Sequence, residues 1–255
     1  PSLSAVFARY PCIDGWAGIM SDNWDDLASW WQAESASDPA YVHDVNPLLI
    51  ELMADTGTPV VDLGCGEGQG MRLVGGAVMG VDLSISLAAH ARATGPVVVA
   101  ELPDVSYFVD DAFAVAYSVY LLDLIADHDA FFANTARVVR AGGHLVVVIN
   151  HPVYTAPASA PLMDPDGEIL WRWGRYFVRG SEVVPVGPRT ITFHHRPVGT
   201  LLTAASRAGW RLETMIERPL GPETVAELPG YEGQDGIPRL LGVRWARDGA
   251  DPAAR

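Results

Sequence analysis

The chain contains no lysine: all 17 basic residues are arginine. A phosphate-cradling loop of the form Gly-x-x-x-x-Gly-Lys-Ser/Thr is therefore excluded. Positive charge is scarce, since 31 acidic residues give a net charge of -14 and a pI near 4.7. Such a field repels a phosphate backbone and an anionic bilayer alike, so neither nucleic acid nor membrane is expected as a partner. Cys12 and Cys65 are the only cysteines, too few for a disulfide framework or a cysteine metal site; no metal is expected, and a reducing cytoplasm is the natural compartment. No apolar run reaches the roughly 20 residues that a membrane span requires, and the start lacks a basic region ahead of an apolar segment.

What is present is a large apolar fraction, 49% of 255 residues, enough to bury the core of one sizeable domain. The stretch Pro59-Val60-Val61-Asp62-Leu63-Gly64-Cys65-Gly66-Glu67-Gly68-Gln69-Gly70 reads as a buried strand running into a glycine-rich loop. Glycines at alternate positions suit a turn whose backbone lies close against a ligand.

Before it, residues 1–57 read as a helical cap rich in aromatics. Ser21 or Asp22 caps a helix with an apolar stripe of Trp24, Leu27 and Trp30 or Trp31, and Asp38-Pro39 and Asn46-Pro47 open two more. The tryptophans suit core packing first and a lid over a pocket second. After it, strands are predicted over 58–63, 77–83, 97–99, 113–121 and 144–150, with helices after Ser84 and over about 128–140, where Asp127 is the cap. Nearly uninterrupted apolar strands between helices indicate a parallel sheet covered on both faces.

Residues 151–196, rich in proline and aromatics, form an insertion with no periodic helix. A helix over 197–208, strands over 210–217 and 238–246, and a tail from Asp248 complete the chain. The expected fold class is α/β, doubly wound, with a seven-stranded mostly parallel sheet in one domain. Its parts are a cap (1–57), a cofactor-binding core (58–150), a substrate-side insertion (151–196) and the C-terminal part of the sheet (197–247).

A loop at the end of the first strand of such a sheet is where ligands bind. The dinucleotide fingerprint Gly-x-Gly-x-x-Gly fails by one residue, because Gln69 stands at the third glycine position. The loop instead suits a nucleoside with a compact polar tail.

Val60-Val61-Asp62-Leu63-Gly64-Cys65-Gly66-Glu67-Gly68 and Gly80-Val81-Asp82-Leu83-Ser84 resemble the first two motifs of the class I S-adenosylmethionine-dependent methyltransferases. The resemblance spans roughly residues 58–150 and implies the Rossmann-like methyltransferase fold, with a last hairpin antiparallel to the sheet. It also implies S-adenosyl-L-methionine as cofactor, with S-adenosyl-L-homocysteine as product. By it, Asp62, Gly64, Cys65 and Gly66 contact the methionine and ribose portions, and Asp82, with Leu83 beside it, receives both ribose hydroxyls. A carboxylate at a strand tip suits a vicinal diol because its two oxygens accept two O–H groups at once. Asp104 and Val105, in Glu101-Leu102-Pro103-Asp104-Val105-Ser106, stand where the family binds adenine. Asp104 would accept from the amino group, with Glu101 as rival, and Tyr117 closes the cofactor set.

Methyl transfer from a sulfonium is an in-line displacement, so positioning and exclusion of water carry most of the catalysis. A base is required only when the nucleophile must lose a proton. His151 after the fifth strand is the first candidate; Tyr120 at the end of the fourth and His194 before Arg196 are the others. The expected function is methyl transfer to a small-molecule acceptor, at oxygen. The alternatives are an aminopropyl transferase on the same fold and a nucleoside-binding regulatory protein without catalysis.

Overall fold

The structure, a computed structural model, describes residues 24–186 and 189–248. The expected cap at Ser21 or Asp22, Cys12 and the end of the tail lie outside these. Helix α1 (Trp24–Ser37) comes first, followed by a π-helical turn at Tyr41–Val45 that runs directly into α2 (Asn46–Met53). Asn46 is consequently not a cap: Val45 before it is already helical, and the Asn46 amide donates to the carbonyl of Tyr41.

The strand–helix alternation then begins: β1 (Val60–Leu63), α3 (Gln69–Val74), β2 (Val78–Asp82), α4 (Ile85–Ala91), β3 (Val97–Val99), β4 (Phe113–Val119), α5 (His128–Val138) and β5 (Val139–Asn150). Ser84 and Asp127 cap α4 and α5, accepting from the amides of Leu87 and Ala130. Strand β5 starts earlier than residue 144 because Val139 already pairs with Phe113; the register then shifts across Gly142 and Gly143 before Val115 meets His144.

The segment 151–196 is not irregular. It holds the short helix α6 (Pro152–Thr155) and two antiparallel hairpins, β6 (Ala160–Met163) with β7 (Ile169–Arg172) and β8 (Gly180–Val186) with β9 (Arg189–His195). The chain closes with α7 (Val198–Arg207), β10 (Trp210–Arg218), α8 (Pro222–Glu227) and β11 (Leu240–Arg247).

Seven strands form the central sheet in the order β10-β11-β5-β4-β1-β2-β3. Strands β3, β2, β1, β4 and β5 are parallel, and β11 is antiparallel to both β5 and β10. Side chains alternate across a strand. Val60, Val115 and Val146 therefore pack on one face with Leu48, Leu49 and Leu52 of α2, while Val61, Leu145 and Val147 pack on the other with Phe131 and Phe132 of α5. Burial on both faces is why these strands read as continuous apolar runs. The first core also takes in Leu27 of α1 and Val184, Val186, Ile191 and Phe193 of the β8–β9 hairpin. Cap and insertion are thus joined to the face of the sheet that carries α2.

Candidate active site

The carboxyl ends of β1, β2, β3 and β4 surround a cavity of about 390 Å3. Gly64 and Gly66 form its floor, Asp82 and Leu83 end β2 beside it, Ala100, Glu101 and Leu102 follow β3, and Val119, Tyr120 and Leu121 follow β4. An adjoining hollow of about 40 Å3 is lined by Tyr41, Asn46, Asp62, Cys65 and Glu67, and shares Gly64 and Gly66 with the first.

The turn geometry accounts for the glycines. Gly66 has φ of 52°, left-handed backbone that side chains disfavour, and this aims its amide at Asp82. Oδ2 of Asp82 accepts from Gly66 N at 2.7 Å, and Oδ1 accepts from Ser84 N at 2.9 Å. Burial raises the Asp82 pKa, and the two amide bonds counter it. A carboxylate has about four acceptor positions, so two remain for a ligand's hydroxyls. Gly80 leaves room of another kind: a β-carbon there would lie 2.5 Å from Sγ of Cys65.

Asp62 lies below the cavity floor. Its carboxylate accepts a 2.7 Å hydrogen bond from the Tyr117 hydroxyl, and burial pushes its pKa up to about 7. Tyr117 is fully buried, with its own pKa pushed up by the same desolvation and by Asp62. Cys65 is also buried, which raises its thiol pKa. These three support the loop from beneath, and only Asp62 and Cys65 of them reach the smaller hollow.

The adenine-side expectation is redistributed. Asp104 is fully exposed, and it folds back to accept from Ser106 N at 2.8 Å, with its pKa lowered by that bond. Val105 is buried in the core, and its carbonyl accepts from Arg137 of α5. Neither lines the cavity, whereas Glu101 does.

Of the three expected catalytic residues, the structure brings only Tyr120 to the cavity. Tyr120 sits at φ of 55° with its ring edge-on to Tyr41 at 5.5 Å, and burial pushes its phenol pKa up. His151 is buried and engaged at both ring nitrogens: Nδ1 accepts from Val153 N at 3.1 Å, which leaves the proton on Nε2 to donate to Glu217 at 2.7 Å. It caps α6, and desolvation lowers its pKa. His194 lines a separate small hollow with Asp123 and Glu182.

Trp24 and Trp31 of α1 also line the main cavity, at 5.7 Å in a T-shaped pair. They stand seven residues apart and so share a helix face; Leu27 between them is buried in the core, and both tryptophans pack against that core while lining the cavity. The stripe was visible in the sequence; its division between core and cavity was not. Among the described residues, no group of three or more His, Cys, Asp or Glu side chains is placed to hold a metal ion, and no helix is long and apolar enough to cross a membrane.

A family model described as a methyltransferase domain matches residues 61–147. An S-adenosylmethionine-dependent methyltransferase from Mesorhizobium loti is 30% identical in sequence, with a TM-score of 0.68 over 79% of this chain and 96% of that one. Two more distant structures share the fold. One is a Haloferax volcanii protein solved with the Trm112 methyltransferase activator, with 18% identity and a TM-score of 0.62 over 91% and 100% of the two chains. The other is geranyl diphosphate C-methyltransferase from Streptomyces coelicolor, solved with Mg2+, geranyl diphosphate and S-adenosyl-L-homocysteine, with 16% identity and a TM-score of 0.57 over 89% and 83%. No curated protein sequence matches the chain.

A loop of left-handed glycines braced by a strand-tip acid, on this sheet order and with these relatives, defines a nucleoside-dependent transferase. The chain belongs to the class I S-adenosylmethionine-dependent methyltransferases, and its cofactor is S-adenosyl-L-methionine.

The site fits that cofactor. Asp82 has acceptor capacity for a ribose diol, and the cavity has apolar walls of Leu83, Leu87 and Leu102 with Glu101 at the rim. The cofactor supplies an electrophilic methyl group on a sulfonium. The chain's residues bind it, orient the acceptor and exclude water.

Proposed function

We propose that this methyltransferase acts on an uncharged, largely apolar small molecule. The observation that carries the reading is the character of the cavity wall. Apart from the residues that fit the cofactor, Trp24, Trp31, Val119, Tyr120, Leu124 and Ile125 give the wall aromatic and aliphatic surface, and no arginine or histidine of the described residues is present. A wall of this kind gives an anionic acceptor no counter-charge, and desolvating an unpaired anion is costly. The net charge of -14 likewise supports a small molecule over a nucleic acid.

The acceptor atom proposed is a hydroxyl oxygen. With its pKa pushed up by burial, the phenol of Tyr120 stays protonated and does not serve as a base. The described residues thus work by positioning, a contribution large enough to dominate an in-line displacement. In this reading residues 58–150 hold the cofactor and the cap closes the acceptor side, while the insertion (151–196) contributes no residue to the cavity wall. Its test is a turnover screen that follows S-adenosyl-L-homocysteine release against matched neutral, cationic and anionic acceptors. Preference for neutral aromatic or aliphatic alcohols supports the assignment, and preference for phosphorylated or carboxylate acceptors contradicts it.

A further inference from the structure

Two consecutive acids of α1 make contacts that core packing does not require. Oδ1 of Asp25 accepts two hydrogen bonds from the start of α4, from Ser84 Oγ at 2.7 Å and from Ser86 N at 2.9 Å. Asp26 pairs with Arg189 of β9 at 2.8 Å. Both acids are exposed on the helix that presents Trp24 and Trp31 to the cavity.

Helix α4 does not depend on Asp25 for its own cap. Ser84 Oγ already accepts from Leu87 N at 3.1 Å, which is the ordinary N-cap bond. Asp25 adds a second acceptor, delivered from another helix to a helix start where negative charge is favoured. The connection continues inward, because the backbone amide of Ser84 donates to Oδ1 of Asp82 at 2.9 Å. One residue, Ser84, therefore touches the ribose-binding acid through its amide and the lid helix through its hydroxyl. Near the middle of α1, Nε1 of Trp31 would stand 3.5 Å from a β-carbon on Gly66, so the lid reaches the glycine loop itself.

We propose that Asp25 is a positioning residue for cofactor retention: it latches α1 to the start of α4, and so holds Trp24 and Trp31 over a cofactor seated against Asp82. The Asp26–Arg189 pair steadies the same helix from the β8–β9 hairpin. An exposed ion pair is worth little by itself, and the latch resides in the two bonds to Asp25. Both of those bonds end on Oδ1, and the Ser86 side chain and the Ile85 amide also bond to the carboxylate, so a graded test follows. An asparagine at position 25 keeps a carbonyl oxygen in that place, whereas an alanine keeps nothing.

The experiment compares wild type, Asp25→Asn and Asp25→Ala by calorimetric titration with S-adenosyl-L-homocysteine, by its dissociation rate, and by the thermal midpoint without ligand. Asp25→Ala is expected to weaken binding about tenfold, through faster dissociation, and Asp25→Asn to lose about threefold, less than the alanine variant. Unliganded midpoints are expected to agree within about 2 °C. Wild-type affinity in Asp25→Ala, equal losses in both variants, or a midpoint lowered in step with the affinity loss would each overturn the latch. A wild type that fails to bind would instead overturn the cofactor assignment, an outcome separate from any difference between variants.

Discussion

Asp62 and Tyr117 stand opposite each other on adjacent parallel strands, β1 and β4, and share a 2.7 Å hydrogen bond under the glycine loop. A β-carbon on Gly70 would come within 3.0 Å of both side chains, so the pair sets how closely the start of α3 approaches the sheet.

That burial makes Asp62 a source of pH-dependent stability. Its pKa rises from 3.8 in the open chain to about 7 in the fold, so between these values the folded state holds a proton that the unfolded state releases. The contribution to stability is fully present below about pH 4 and is lost as pH rises towards 7, with a slope of at most about 1.4 kcal/mol per pH unit. Asp62→Asn does not ionise. The difference in unfolding free energy, wild type minus variant, is therefore expected to fall between pH 4 and 7 in denaturant titrations. A difference that stays flat across this range would contradict the assignment.

His151 is expected to behave as a structural residue. It caps α6 and meets Glu217, so His151→Ala should cost about 1–2 kcal/mol of stability and leave kcat within about twofold once a substrate is in hand. A loss of turnover of about a hundredfold with unchanged stability would return it to the role of general base.

Tyr120→Phe removes the one phenol on the cavity wall and keeps the ring against Tyr41. The phenol interacts with Arg239, Asp38 and Asp44, none of which lines the cavity, so the expected result is a stability loss of about 0.5–1.5 kcal/mol with kcat/KM within about twofold of wild type. A loss of kcat/KM of about tenfold at unchanged stability would contradict it.

The glycine-loop side of the candidate site was legible from sequence because it is local. An apolar run, an acid and alternate glycines place Asp62, Gly64 and Gly66 within a few residues, and Asp82 ends the next strand of the same pattern. The positions that escaped depend on distant partners. Asp104 and Val105 turn away from the cavity because Arg137 and Asn134 of α5 tie down the backbone at residues 103, 105 and 108, a contact that no local pattern signals. His151 is drawn away from the crevice by Glu217, on the far strand β10, which takes its second nitrogen. The hairpin β8–β9 does alternate, with Val184, Val186, Ile191 and Phe193 inward, but prolines among these residues masked the period.

The measurement closest to the central claim is a calorimetric titration of wild type and Asp82→Ala with S-adenosyl-L-homocysteine. The account predicts micromolar or tighter binding by the wild type and a loss of about 1.5–3 kcal/mol in the variant, because Asp82 is the one strand-tip acid braced by both Gly66 and Ser84. No binding by the wild type, or equal affinity in the variant, would contradict it.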